Sequence, residues 1–296
     1  MGQQSRARTA ARARTAEMRA AQAQQERRRR LWRAMSSVGV VLLLVTGLIA
    51  LKIAGVGGSK PSSAAPSTLA SRAVVDAVGT VPKSVLNTIG TGTASSVPKP
   101  IRAPALSVAG KPELLYVGAE YCPYCAAQRW ALAVALARFG SWSGLGATHS
   151  SSADIFPNTP TLSFHGSSYA SEFLTFAGYE ITSNVRSGTG YAPLDPLPAT
   201  VSSLVDTFNP QGSIPFVDVG GKYTMTGASF SPDVLAGLTQ EQVAAALSDP
   251  TSPVAKAIDG TANVLTASIC NVTDGKPGSV CSAPGVVAAK AKLANG

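Results

Sequence analysis

Histidine and cysteine are scarce in this 296-residue chain: two of the former and four of the latter. Four cysteines are too few for a disulfide scaffold, so each asks for its own explanation. A zinc site would have to add two ligands to the one Cys-x-x-Cys. Only His149, His165, Cys270 and Cys281 remain, and none stands at metal-ligand spacing, so no metal is expected. The chain has no Gly-x-Ser-x-Gly elbow, no phosphate-binding loop, no catalytic pair of carboxylates and no internal repeat. Nothing calls for an organic cofactor. Charged residues make up only 14%, against 45% apolar, which suits a folded globule with room for one large domain or two small ones.

The formal charge of +9 does not describe the fold. Residues 1–33 hold ten arginines against Glu17 and Glu26, +8 of the +9, so the remainder is nearly neutral and gives no reason to expect a nucleic-acid partner. Topology accounts for the basic tail, although anionic lipid or nucleic acid would also attract it. Ala34 to Leu51 follow without a charge. At ~1.5 Å per residue they cover roughly 27 Å, close to the hydrocarbon thickness of a bilayer. Trp32 suits the near interface, and Lys52 can reach the far headgroups. By the positive-inside rule, 1–33 is a cytoplasmic tail, 34–56 a single-pass anchor in the cell membrane, and the rest extracytoplasmic. A cleaved signal peptide and a buried core helix are the alternatives.

Residues 57–104 read as a linker with short helices. Gly57 to Ser67 is a Gly/Ser/Pro spacer, and AVVDAV and KSVLNTI are apolar-periodic stretches parted by Gly79 and Pro82. The folded domain is expected over 105–281, with 282–296 as a tail. Leu106 to Val108 and Leu114 to Val117 are β-prone, the second apolar throughout, as in a strand covered on both faces. A largely buried helix is expected to Phe139, and Pro160–His165 with Glu172–Ile181 read as an antiparallel pair. A helix over Pro198–Phe208 follows. Gly220-Gly221 makes a two-residue hairpin turn, Thr239 with Gln242 a capping box, and Ser252-Pro253 another helix start.

The chemistry concentrates in LLYV-GAEYCPYC and the helix after it. That order puts Cys122 at the helix N-cap, Pro123 at the first helical position and Cys125 in the first turn. Free N–H groups and the helix dipole favour a thiolate at Cys122, and Cys125 stands ready to resolve a mixed disulfide. A metal site and an inert structural disulfide are the other readings of such a pair. Glu120, adjacent to the motif, is a candidate proton acceptor. Tyr121, Tyr124 and Trp130 either line a substrate groove or pack. Cys270 and Cys281, parted by a Gly/Pro-rich segment, read as a structural disulfide in an oxidising compartment, or as a second redox pair feeding Cys125. His149 or His165 could join the cysteines in copper binding, though structural histidines are commoner.

YVGAEYCPYC before a helix, and SIPFVDVGGKYTMTGA later, resemble the thioredoxin superfamily over roughly residues 105–250. More closely, the chain resembles an uncharacterised group of membrane-anchored thioredoxin-like proteins, a domain-of-unknown-function family. The resemblance implies an α/β, thioredoxin-like fold after one N-terminal transmembrane helix, with a cis Pro215 facing the cysteines and Ile214 offering its backbone to substrate. Two departures stand out. The 93-residue gap from Cys122 to Pro215 implies an insertion, placed at about 140–210, and Tyr116 occupies the position of the family's buried acid. Glutaredoxins share Cys-Pro-Tyr-Cys, but their Gly-Gly-x-Asp is absent after Pro215.

Two functions follow. One is a thiol–disulfide oxidoreductase acting on exported protein thiols or disulfides, with Cys122 and Cys125 catalytic, Ile214, Pro215 and Tyr124 binding substrate, and a membrane redox partner. The other is a non-catalytic interaction module of a membrane complex, with 122–125 a permanent disulfide.

Overall fold

Alternation of side chains along one strand organises this molecule. The structure, a computed structural model, describes residues 67–294, all within one compact unit. The basic tail, the expected anchor at 34–56 and most of the spacer lie outside the described residues. Among the described residues no helix is long and apolar enough to cross a membrane.

In chain order the elements are β1 (Thr68–Leu69), α1 (Arg72–Gly79), α2 (Lys83–Ile89), β2 (Lys99–Pro100), β3 (Ser107–Val108), β4 (Lys111–Gly118) and α3 (Pro123–Ala137). There follow β5 (Gly140–Ser143), β6 (Gly146–His149), β7 (Pro160–Ser163), β8 (Ser168–Ser171), β9 (Thr175–Glu180), β10 (Thr182–Ser187) and β11 (Gly190–Pro193). The last are α4 (Ala199–Phe208), β12 (Phe216–Val219), β13 (Tyr223–Thr226), α5 (Gln240–Ala246), α6 (Pro253–Val272), α7 (Gly278–Cys281) and α8 (Pro284–Ala294).

The result is a mixed α/β architecture. Its central sheet runs β2-β13-β12-β4, with β9 parallel on the other side of β4 and β3 returning antiparallel onto β4's start. Period-two alternation gives β4 two inner faces. Leu114 and Tyr116 enter a large core with α3 and α6, while Leu115 and Val117 join Phe216 against α4. Helices therefore cover both sides, which is why the run Leu114 to Val117 in β4 is apolar without a break. Helix α3 is buried along nearly its whole length. Helix α6 packs closely enough that a Cβ on Gly260 would lie 2.6 Å from the Thr91 carbonyl oxygen, so only glycine fits there.

Three expectations need correction. Pro160–His165 and Glu172–Ile181 do not pair with each other: β7 pairs antiparallel with β6, and β9 runs parallel to β4. Phe176 packs on one core while Ala177 and Tyr179 pack on the other, so β9 needs two covered faces, and the flank of β4 supplies them. β9 therefore belongs to the main sheet, and the region 140–210 is not one continuous insertion. The strands β5–β8 before it and the β10–β11 hairpin after it form smaller sheets of their own. The β12–β13 loop spans three residues, because Val219 pairs with Tyr223; Gly220 and Gly221 both take positive φ there.

The packed unit also exceeds the expected bounds of 105–281. Val74, Val78, Leu86 and Ala94 are buried in the main core, β1 pairs with β6, and β2 pairs with β13. At the other end α8 buries Val286, Ala289 and Leu293. Short apolar stretches at both ends of the described residues thus cover the outer faces of α3 and α6, which would otherwise be left to water.

Candidate functional site

Strand β4 ends at Gly118, the chain turns, and α3 begins at Pro123, a proline whose missing N–H costs the first helical turn nothing. Cys122 is the N-cap: its sulfur accepts from the Cys125 N–H at 3.2 Å. Those donors have no carbonyl partner within the helix, so a negative sulfur satisfies them best.

The two sulfurs, both free thiols, are not equivalent. Hydrogen bonding from the Cys125 thiol holds the Cys122 thiol below the usual range, against burial, with help from the Cys125 and Tyr124 N–H groups and the Arg129 charge. Burial drives Cys125 well above the usual range, and the neighbouring Cys122 adds to it. Cys122 keeps 6% of its surface and Cys125 none, so the more acidic sulfur is also the one a partner can reach.

Opposite stands the start of β12. The Cys122 thiol points to the Ile214 carbonyl at 3.9 Å, and the Ile214–Pro215 peptide bond is cis. Ile181 and Ile214 pack against the cysteines as apolar walls. An aromatic rim surrounds the opening. Tyr121 stacks on Tyr191 at 4.3 Å, with the Arg186 guanidinium over the same Tyr191 ring. Tyr124, 38% exposed, meets the edge of Phe156, and Ile155 beside it is 72% exposed. Trp130 does not contribute to this rim. It is fully buried, its indole N–H donating to the Pro160 carbonyl, so of the two alternatives it packs.

Beneath the cysteines lies an ion pair that reading the sequence did not single out. The Arg129 Nε and Nη2 donate to the two oxygens of Glu180 at 2.6 and 2.7 Å, both side chains fully buried. Nη2 also donates to the Ala119 carbonyl in the turn before Cys122. Burial opposes the Arg129 charge, but Glu180, through its charge and its hydrogen bonds, outweighs it and keeps the guanidinium protonated. Glu180 is lifted above the usual carboxylate range by burial, against the pull of Arg129. The signal was available: Arg129 is the only charged residue of α3, and Glu180 the only one of β9.

Around the pair, Glu120 is buried and accepts from the Ser163 hydroxyl at 2.6 Å. Asp195 accepts from the Glu180 backbone N–H and pairs with His165 at 2.7 Å. The Tyr116 hydroxyl is buried without a partner, its pKa pushed well up by burial, so it remains a donor. His149 lies elsewhere, 3.5 Å from Gln240. Cys270 and Cys281 form a disulfide with Cα atoms 5.6 Å apart, joining α6 to α7 and lying apart from the residues packed round Cys122.

Residues 101–193 match a family model described as a domain of unknown function (DUF929). That stretch holds both free cysteines, Arg129 and Glu180, and ends before Ile214. No curated protein and no solved structure matches the chain.

Proposed function

We propose that this chain is a thioredoxin-like thiol–disulfide oxidoreductase, anchored in the membrane by residues 34–56 and working on exported proteins outside the cytoplasm. The observation that carries the reading is the asymmetric cysteine pair: an acidified, reachable Cys122 at a helix start, facing the Ile214 carbonyl, with a buried Cys125 thiol one turn on. The sheet order agrees with a thioredoxin-like fold, since the strand leading into the cysteines lies between a parallel β9 and an antiparallel β12–β13 hairpin.

In the reducing direction, the Cys122 thiolate attacks a substrate disulfide, forming a mixed disulfide and releasing one substrate thiolate. Cys125 then loses its proton to solvent or to the departing sulfur and attacks Cys122. This yields the Cys122–Cys125 disulfide and a second substrate thiol. In the oxidising direction the same bonds form and break in reverse. In both cases two electrons pass between substrate and the cysteine pair, and a membrane redox partner must restore the starting state. The Ile214 backbone would hold an extended substrate strand beside Cys122, and Tyr124 would pack on it.

The test is a trap. Cys125→Ala should accumulate mixed disulfides with exported proteins, visible as bands that collapse on reduction, and Cys122→Ala should not. In a glutathione series the wild-type pair should titrate between about −120 and −270 mV. If Cys125→Ala captures nothing while its Cys122 still reacts with a soluble alkylating reagent, the proposal fails. A bond closed well below about −300 mV would favour the interaction-module reading.

A further inference from the structure

The far end of α3 borders a cavity that the cysteine chemistry does not use. Arg138, the C-cap of that helix, lies sixteen residues beyond Cys122, roughly 24 Å along the helix axis. The cavity has a volume of about 540 Å³, in the range of small-molecule sites. Its apolar walls are Val78 and Val81 from the end of α1 and the loop after it, Val134 from α3, Val280 from the loop closed by the disulfide, and Ala283 and Pro284 just beyond that loop.

The cavity's charges are of one sign. Arg138 and Lys83 line it and no carboxylate does. The Arg138 guanidinium is half-buried, and its hydrogen bonds go through Nη1 to two neutral oxygens, Asn263 Oδ1 at 2.8 Å and Thr266 Oγ1 at 3.2 Å. Among the described residues neither Arg138 nor Lys83 forms an ion pair. Asp259, buried on α6, has both oxygens unpartnered and so makes no hydrogen bond to Arg138; burial raises its pKa to about 8 against the pull of that arginine. Burial also lowers the Arg138 pKa to about 10, against the pull of Asp259. A guanidinium with spare N–H donors on an apolar-walled cavity suits a planar carboxylate carrying an apolar body.

We propose that this cavity binds an amphiphilic organic carboxylate, its head on Arg138 and Lys83 and its apolar body between Val78, Val134 and Val280. The site is separate from the cysteine pair and does not depend on the redox reading.

The probe is 4-phenylbutyrate, soluble enough to titrate calorimetrically into the full chain in detergent, with the neutral amide 4-phenylbutyramide as comparator. The acid should bind with a dissociation constant below about 1 mM, and the amide at least about tenfold more weakly. Arg138→Gln should cost the acid a similar factor, and Ala283→Trp should abolish binding by filling the cavity, while Cys122→Ser leaves it unchanged. Circular dichroism reports whether each variant folds. If Arg138→Gln does not, the acid-against-amide comparison on the wild type decides. No binding of the acid at several times that concentration, equal binding of acid and amide, or full binding by folded Ala283→Trp would each overturn the assignment.

Discussion

Arg129 and Glu180 bring opposite charges within 2.6 Å where neither has any exposed surface. Desolvating two ions costs several kcal/mol, and a bidentate geometry with further acceptors is what offsets that cost. Removing one partner is the severe change: Glu180→Gln should destabilise the fold by roughly 3–5 kcal/mol in denaturant unfolding. Replacing both by apolar residues should be far milder, which leaves a folded protein for a chemical measurement. In Arg129→Met/Glu180→Met the cation that helps stabilise the Cys122 anion is gone, so the thiolate absorbance of Cys122 should titrate at higher pH than in wild type. An unmoved titration would remove Arg129 from the redox machinery and leave it a packing residue. Cys122 and Cys125 were readable because their chemistry is set within one helical turn by Pro123 and the strand before it. The ion pair was harder to read because its partners are 51 residues apart and meet only through the parallel pairing of β9 with β4.

At the scale of elements, α6 carries a buried titratable acid that works against stability once it is ionised. Asp259 has no hydrogen-bond partner and a pKa of about 8, raised by burial against the pull of Arg138. Above the unfolded carboxyl pKa of about 4, the unfolded chain has released this proton while the folded one still holds it. The folded state thus binds more protons, and stability falls as pH rises from about 4 to about 8, levelling off above that. Asp259→Asn should abolish that slope. It should be near neutral at pH 4 and stabilise by several kcal/mol, on the order of 5, at pH 8.5, read from thermal unfolding at the two pH values. A gain independent of pH would show that packing, not the proton, is responsible. The helix itself was legible from Ser252-Pro253, whose hydroxyl accepts from the Val254 N–H, just as Thr239 and Gln242 form their reciprocal caps before α5. Caps are local, so sequence displays them. The partner of β9 was not legible, because TFAGYE alternates in the same way whichever strand lies beside it.

For the molecule as a whole, both ends of the unit are built into its middle. The Asn263 amide of α6 donates to the Leu86 and Gly90 carbonyls, the Asn87 side chain accepts from the Gly285 N–H, and Lys292 donates to the Ala94 carbonyl. A fragment starting at residue 105, the bound suggested by composition, loses the buried Val74, Val78 and Leu86 together. At about 1.5–3 kcal/mol for each large aliphatic side chain, that loss is comparable to a typical domain's whole stability. Fragment 105–296 should therefore lack a cooperative thermal transition, whereas 67–296 should show one; a sharp transition in the shorter fragment would make the first helices an accessory. Composition misled here because 57–104 is rich in Ser, Pro and Gly, and the few apolar residues that anchor it are spread thinly. One consequence concerns how the chain is made. Because α2 rests on α6 and α8, it finds its seat only after those much later helices have been synthesised. A half-delivered polypeptide would have to be kept open, its four thiols unpaired, until the final helices arrive to close it.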